Sequence, residues 1–208
     1  MPTLQELKDK WFLSIGQFDE YGLTIRHPDS LISLSTDDNH VVPIAESQTY
    51  RAIWYSLLQD AMATPGSRVF HATWNISNAE IIPSDPNSKA MDALIAVANE
   101  WGGQEVYALI NARTKFAYNL DDEVEYLAAR GVKAILDTNF PAAGTSHQKF
   151  FVSKLSNVEG TALVGCDVAG GFNSDPGVHE VGVMIQGQAV SDLEQSFVER
   201  WNSPYNEP

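Results

Sequence analysis

A chain of 208 residues that is 44% hydrophobic and 10% aromatic can bury a core of its own, as one large domain or a domain plus an arm. Its net charge of −14 is spread evenly, with 6 basic and 13 acidic side chains over residues 1–104 and 7 and 14 over residues 105–208, so no basic domain supplies the counterion release that drives nucleic-acid binding. No apolar run reaches the roughly 20 residues of a membrane span. The start, MPTLQELKDKW, lacks the apolar core of a secretion signal, and Cys166 is the only cysteine. A cytoplasmic chain without disulfide or multi-cysteine metal chemistry is the expectation.

Thr3-Leu-Gln-Glu6 has the form of a helix capping box, and Leu4, Leu7, Trp11 and Leu13 add a partly apolar face, which predicts an N-terminal helix. Residues 21–47 look different: alternating stretches such as Leu31-Ile-Ser-Leu-Ser35, broken at Pro28, Asp37-Asp38 and Pro43, suggest short strands and turns. Residues 1–47 are accordingly expected as an N-terminal helical and β arm. From Gln48 the pattern becomes regular. Tyr50, Ile53, Trp54, Leu57 and Leu58 recur at helical spacing until Pro65-Gly66, and Arg68-Val-Phe-His-Ala72 reads as a strand. Met91, Leu94, Ile95, Val97 and Ala98 mark a second helix that stops at Gly102-Gly103, before the buried strand Val106–Ile110. Asn119 should cap a third helix, with Asp121, Asp122 and Glu123 where the helix dipole favours negative charge; Arg130-Gly131 closes it and the strand Val132–Leu136 follows.

The remainder reads as β-rich, with strands at Lys149–Val152, Thr161–Val164 and Val181–Ile185. It ends in a helix from about Gln188, whose Val190, Leu193, Phe197 and Trp201 share one face. Helices alternating with strands over residues 48–136 predict an α/β fold, a mixed β-sheet flanked by helices on both faces, in one domain over residues 48–208. Trp54, Trp74, Trp101 and Trp201 fall on apolar faces and are most simply core, although Trp74 stands at a strand end where a pocket could form. His71, in a buried strand, reads as a satisfied core histidine.

The chemistry-bearing pattern is Ser146-His147-Gln148-Lys149-Phe150-Phe151-Val152. His147 and Lys149 occupy alternate positions at a strand start, so both project from one face and can meet a single phosphate. Imidazole is a competent nucleophile or general acid near neutral pH, and an ammonium beside it neutralises phosphoryl oxygens as charge builds in the transition state. A bare His-x-Lys would arise by chance in roughly one such sequence in six, so its flanks decide its meaning. Metal-ligand spacing such as His-Glu-x-x-His is absent from the sequence, and no metal or other cofactor is expected.

Five blocks follow one another in order: Gly131-Val-Lys-Ala-Ile-Leu-Asp-Thr-Asn139, Ser146 to Val152, Leu163-Val-Gly-Cys-Asp-Val168, His179-Glu-Val-Gly-Val-Met-Ile185, and Ala189 to Asn202. Together with Tyr50-Arg-Ala-Ile53 and the strand ending at Trp74, they closely resemble the first half of two-motif phospholipase D-superfamily proteins, over about residues 48–202. The resemblance implies a metal-free, two-step phosphodiester exchange. One histidine attacks phosphorus to form a phosphohistidine, a second from another half-site protonates the leaving alcohol, and water or an alcohol resolves the intermediate. By position, His147 would be the nucleophile or its acid partner and Lys149 the phosphate clamp. Asp167 stands where the family places an Asp or Asn after a glycine turn, and Glu180 where it places the carboxylate that orients the histidine. Two positions depart from the family: Lys154 replaces the Asp that ends the His-x-Lys motif, and Val164-Gly165 replaces the usual double glycine.

His27, His40, His71 and His179 offer no second His-x-Lys, so the chain supplies one half-site. The resemblance favours a missing C-terminal half as the source of the other, over a homodimer mate. The expected substrate is a phosphodiester, a phospholipid rather than nucleic acid given the even acidity, with peripheral membrane contact as a corollary. Two alternatives stand beside this enzyme: a homodimeric single-motif endonuclease, and a catalytically degenerate binding or scaffold half, for which Lys154 is the main evidence.

Overall fold

The computed structural model describes residues 3, 6, 20, 30–32, 36–83, 85–112, 120–138, 146–156, 159–166, 181–204 and 206. Among them seven strands, β1 (His40–Ile44), β2 (Arg68–Thr73), β3 (Glu105–Asn111), β4 (Lys133–Asp137), β5 (Phe150–Lys154), β6 (Thr161–Val164) and β7 (Gly182–Gln186), form one sheet in the order β1-β7-β6-β5-β2-β3-β4. The helices are α1 (Ser47–Ala63), α2 (Ala90–Asn99), α3 (Leu120–Ala128) and α4 (Ala189–Trp201). β2, β3 and β4 are parallel and linked through α2 and α3; β5, β6, β7 and β1 continue antiparallel from β2.

The apolar stripes read from the sequence explain the layering. Tyr50, Trp54, Leu58 and Ala61 are buried along α1, as are Met91, Leu94, Val97 and Ala98 along α2. They close a core with Val69, Ala108, Ile110, Phe151 and Leu163 from one face of the sheet. Successive strand residues point to opposite faces, so Phe70, Ala72, Leu109, Phe150 and Val152 face the other way, where Val190, Leu193, Phe197 and Trp201 of α4 cover them. The sheet is therefore mixed and carries helices on both faces.

Polar side chains that the sequence did not single out fix the ends of these elements. Buried Gln104 accepts from the Ser67 amide (2.9 Å) and donates to the Ala61 carbonyl (2.8 Å), tying the end of α1 to the starts of β2 and β3. Asn78 Oδ1 accepts from the amides of Met91 and Asp92 at 3.1 and 3.2 Å and caps α2 from outside the helix. Near the N-terminus the capping box forms as read: the Thr3 amide donates to Glu6 Oε2 (2.7 Å) and the Glu6 amide to Thr3 Oγ1 (3.2 Å). Within the expected arm, β1 is an edge strand of the sheet, and Ser30 Oγ and the Leu31 amide each donate to Glu199 of α4 at 2.8 Å. Asn119 lies outside the described residues.

Two side chains depart from expectation. Trp101 is 60% exposed, because its backbone turns left-handed (φ 54°) ahead of Gly102 and Gly103 and swings the indole off the core, where its Nε1 donates to the Met62 carbonyl at 2.8 Å. His71 is buried as expected, yet neither ring nitrogen has a hydrogen-bond partner. It is held between the Trp54 and Phe151 rings at centroid distances of 5.7 and 6.1 Å, and burial pushes its pKa down to about 4. A neutral imidazole among aromatic rings is the consequence.

Candidate active site

β5 runs antiparallel to β2, with Phe150 opposite Ala72, so the residues just before β5 lie beside the C-terminal end of β2. That edge, where the parallel strands of an open α/β sheet end, is where such sheets form their crevices. Strand geometry begins at Phe150, and His147 and Lys149 stand just ahead of it. The backbone is nonetheless held: the Gly165 amide, at the turn after β6, donates to the Lys149 carbonyl at 3.0 Å. Gly165 has φ +121°, and a Cβ there would meet the Val181 carbonyl at 2.6 Å. One glycine of the expected pair thus does the packing, because only a residue without a side chain lets this turn approach β7 closely.

The two side chains converge. Lys149 Nζ lies 3.0 Å from His147 Nε2 and 3.4 Å from Nδ1. His147 is exposed and Lys149 half-buried, so an incoming anion can reach both. Partial desolvation, and secondarily the Lys149 ammonium, lowers the His147 pKa from its ordinary value. The imidazole is therefore neutral near pH 7, with a lone pair on one nitrogen. Trp74 packs against the pair, its ring edge-to-face with the imidazole at 5.5 Å and 5.9 Å from Lys149 Nζ. Trp74, most simply core by sequence, is half-buried and part of this cluster. Its place after the last residue of β2 was the available signal.

Asp167 and Glu180 lie outside the described residues. Lys154, the charge-inverted position, ends β5 about 16 Å from Lys149 at roughly 3.3 Å per strand residue. It pairs with Glu194 of α4, which also holds Arg68, the residue opposite Lys154 on β2, at 3.2 Å. Lys154 and Arg68, opposite each other on the ladder, thus share one carboxylate supplied by α4. Lys154 therefore takes part in a strand-to-helix tie at the end of β5 away from His147 and Lys149.

Among the described residues no helix is long and apolar enough to cross a membrane, and no group of three or more His, Cys, Asp or Glu side chains could hold a metal ion. A surface groove of about 270 Å³ lies between α1 and α2, lined by Tyr55, Leu58, Met62 and Val97 among others, and contains neither His147 nor Lys149.

This sheet and its helices are the fold of the phospholipase D superfamily. A phospholipase D family member, Nuc from Salmonella typhimurium, superposes with a TM-score of 0.55 at 18% identity, over 82% of this chain and 97% of its own. NucT from Helicobacter pylori gives 0.56 at 13% identity, over 80% and 98%. Polyphosphate kinase from Porphyromonas gingivalis gives 0.55 at 18% identity, over 82% of this chain and 27% of its own. No protein-family model and no curated protein sequence matches the chain.

Proposed function

We propose that this chain is one half-site of a metal-independent phosphodiesterase, in which His147 attacks phosphorus and Lys149 holds the non-bridging oxygens. The observation that carries the reading is the convergence of an exposed imidazole and an ammonium, 3.0 Å apart, at the C-terminal edge of the parallel strands in a phospholipase D fold. The lowered His147 pKa favours the nucleophilic role over that of acid partner, since a nucleophile must be neutral and an acid charged at working pH. His147 Nε2 forms the new bond to phosphorus as the leaving alkoxide departs with a proton from the histidine of a second half-site. Water or an alcohol then displaces the phosphoryl group from His147. Asp167 and Glu180 are assigned the turn and histidine-orienting roles that the family resemblance gives them.

The favoured substrate is a phospholipid. A chain of net charge −14 repels a polyphosphate backbone. Val181, 70% exposed beside the Gly165 turn, places an apolar side chain on the same rim, as suits a lipid. The second half-site comes from a C-terminal half or from a second copy of the chain. Pairing of two copies is supported by the neighbours Nuc and NucT, each of which this chain spans almost from end to end.

The test is a phosphoryl trap. The protein is incubated with phosphatidylcholine vesicles or bis(p-nitrophenyl) phosphate, quenched in alkali, and assayed by mass spectrometry for an acid-labile phosphoryl or phosphatidyl adduct. An adduct on His147, lost in His147→Ala, is expected, with sedimentation deciding whether a dimer carries it. A dimer that cleaves DNA in preference to lipid would support the endonuclease alternative. Absence of any adduct from a folded dimer would support the scaffold alternative.

A further inference from the structure

The His147–Lys149 pair sits on a segment that has not yet entered β5, so strand hydrogen bonding alone does not fix the plane of the imidazole. The Gly165 amide holds the Lys149 backbone, two residues beyond His147. Among the described residues, the aromatic ring that packs against it from elsewhere in the chain is Trp74. It follows directly on β2, a strand buried on both faces and paired on both sides, and is therefore carried by the most rigid part of the sheet. Its indole lies 5.5 Å from the His147 ring at an interplanar angle of 75°, and 5.9 Å from Lys149 Nζ.

We propose that Trp74 is a positioning residue of this half-site, acting beside the carboxylate role assigned to Glu180: its indole restricts the plane of the His147 imidazole by edge-to-face packing and holds Lys149 beside it through its π-face. The inference rests on reading His147 and Lys149 as the reacting pair. Edge-to-face aromatic pairs and cation–π contacts are each strong enough to favour one rotamer over its alternatives several-fold. The similar distances from Lys149 Nζ to the two ring nitrogens, 3.4 and 3.0 Å, show that Lys149 does not select the ring orientation. An ammonium so placed cannot lie along both lone-pair directions and does not by itself choose a ring orientation. The same indole removes water from one side of the imidazole, which accounts for desolvation as the leading cause of the lowered His147 pKa.

The experiment is NMR of the His147 ring in the full chain, assigned with His147→Gln and compared between wild type, Trp74→Phe and Trp74→Ala. In Trp74→Ala the ring-current displacement of the His147 Cε1 proton should collapse and its titration midpoint should rise toward the ordinary histidine value; Trp74→Phe should restore most of both. Turnover of bis(p-nitrophenyl) phosphate should fall about 10- to 100-fold in kcat in Trp74→Ala, as expected for a misoriented nucleophile. KM should change by less than about twofold, and Trp74→Phe should recover most of the rate. If Trp74→Ala remains folded by circular dichroism and leaves the His147 resonance and titration unchanged, the positioning role is overturned. If instead the ring responds while His147 never forms an adduct with any phosphodiester, the positioning stands and the reaction assigned to His147 fails.

Discussion

His147 and His71 show how one residue type takes opposite duties by environment. His147 stands exposed beside a cation, and its lowered pKa keeps a lone pair available at neutral pH. Removing that cation with Lys149→Ala should raise the His147 midpoint, so the acid limb of the pH–rate profile of kcat/KM should move to higher pH. A profile whose acid limb stays in place would mean that the two groups do not interact. His71 is wholly enclosed and has no polar partner to support a charge. Because its pKa drops from 6.5 to about 4 on folding, the unfolded chain binds the proton more readily. The stability that His71 contributes is complete above about pH 6.5 and is lost as pH falls toward 4, a total of roughly 3 kcal/mol. Urea unfolding at pH 7.5, 5.5 and 4.5 should show this slope, and His71→Phe should flatten it. Equal slopes in the two proteins would refute the assignment.

At the scale of elements, the tie between β5 and α4 is the informative feature. Lys154 and Arg68 face each other across the β5–β2 ladder, an arrangement of like charges that costs stability unless an anion lies between them. Glu194 is that anion, on a side chain 15% exposed. Lys154→Asp, which would complete the resembled His-x-Lys motif, should therefore place two carboxylates together and cost roughly 1–3 kcal/mol, read as a lower urea midpoint, without raising activity. A more stable or more active variant would show that the motif position still serves the site. The fold's elements were legible because their apolar periods are strong: the stripes of α1, α2 and α4 and the strands β2, β3, β4 and β6 all follow the sequence pattern to within a residue or two. The ties were less legible. Gln104, Asn78 and Glu194 act on residues 13 to 126 positions away, a range at which a polar side chain carries no periodic signature.

For the whole molecule, the sheet edge explains why the site was partly readable. His147 and Lys149 share a short motif, and alternation along an extended segment is enough to infer that they meet. Trp74 comes from β2, more than seventy positions earlier, and joins them only because β5 pairs with β2. Its contact was a product of topology, which the residues around it do not encode. If the proposed pair binds an anion, the acidic chain around it sets a balance at this scale: long-range repulsion of polyanions and short-range attraction of a single phosphate. Salt screens the first and spares more of the second, so raising ionic strength from 20 to roughly 200 mM should weaken small-phosphodiester binding little, in contrast to the steep loss of a nucleic-acid binder. A steep salt dependence would point to a polyanionic substrate.

The claim on which all of this depends is that His147 and Lys149 grasp one oxyanion together. Titration of the His147 ring resonances with inorganic phosphate measures it directly, in wild type and in Lys149→Ala. The account predicts saturable binding that raises the His147 midpoint, weakened about 10-fold or more without the ammonium. A His147 signal indifferent to phosphate, or an affinity unchanged by Lys149→Ala, would contradict it.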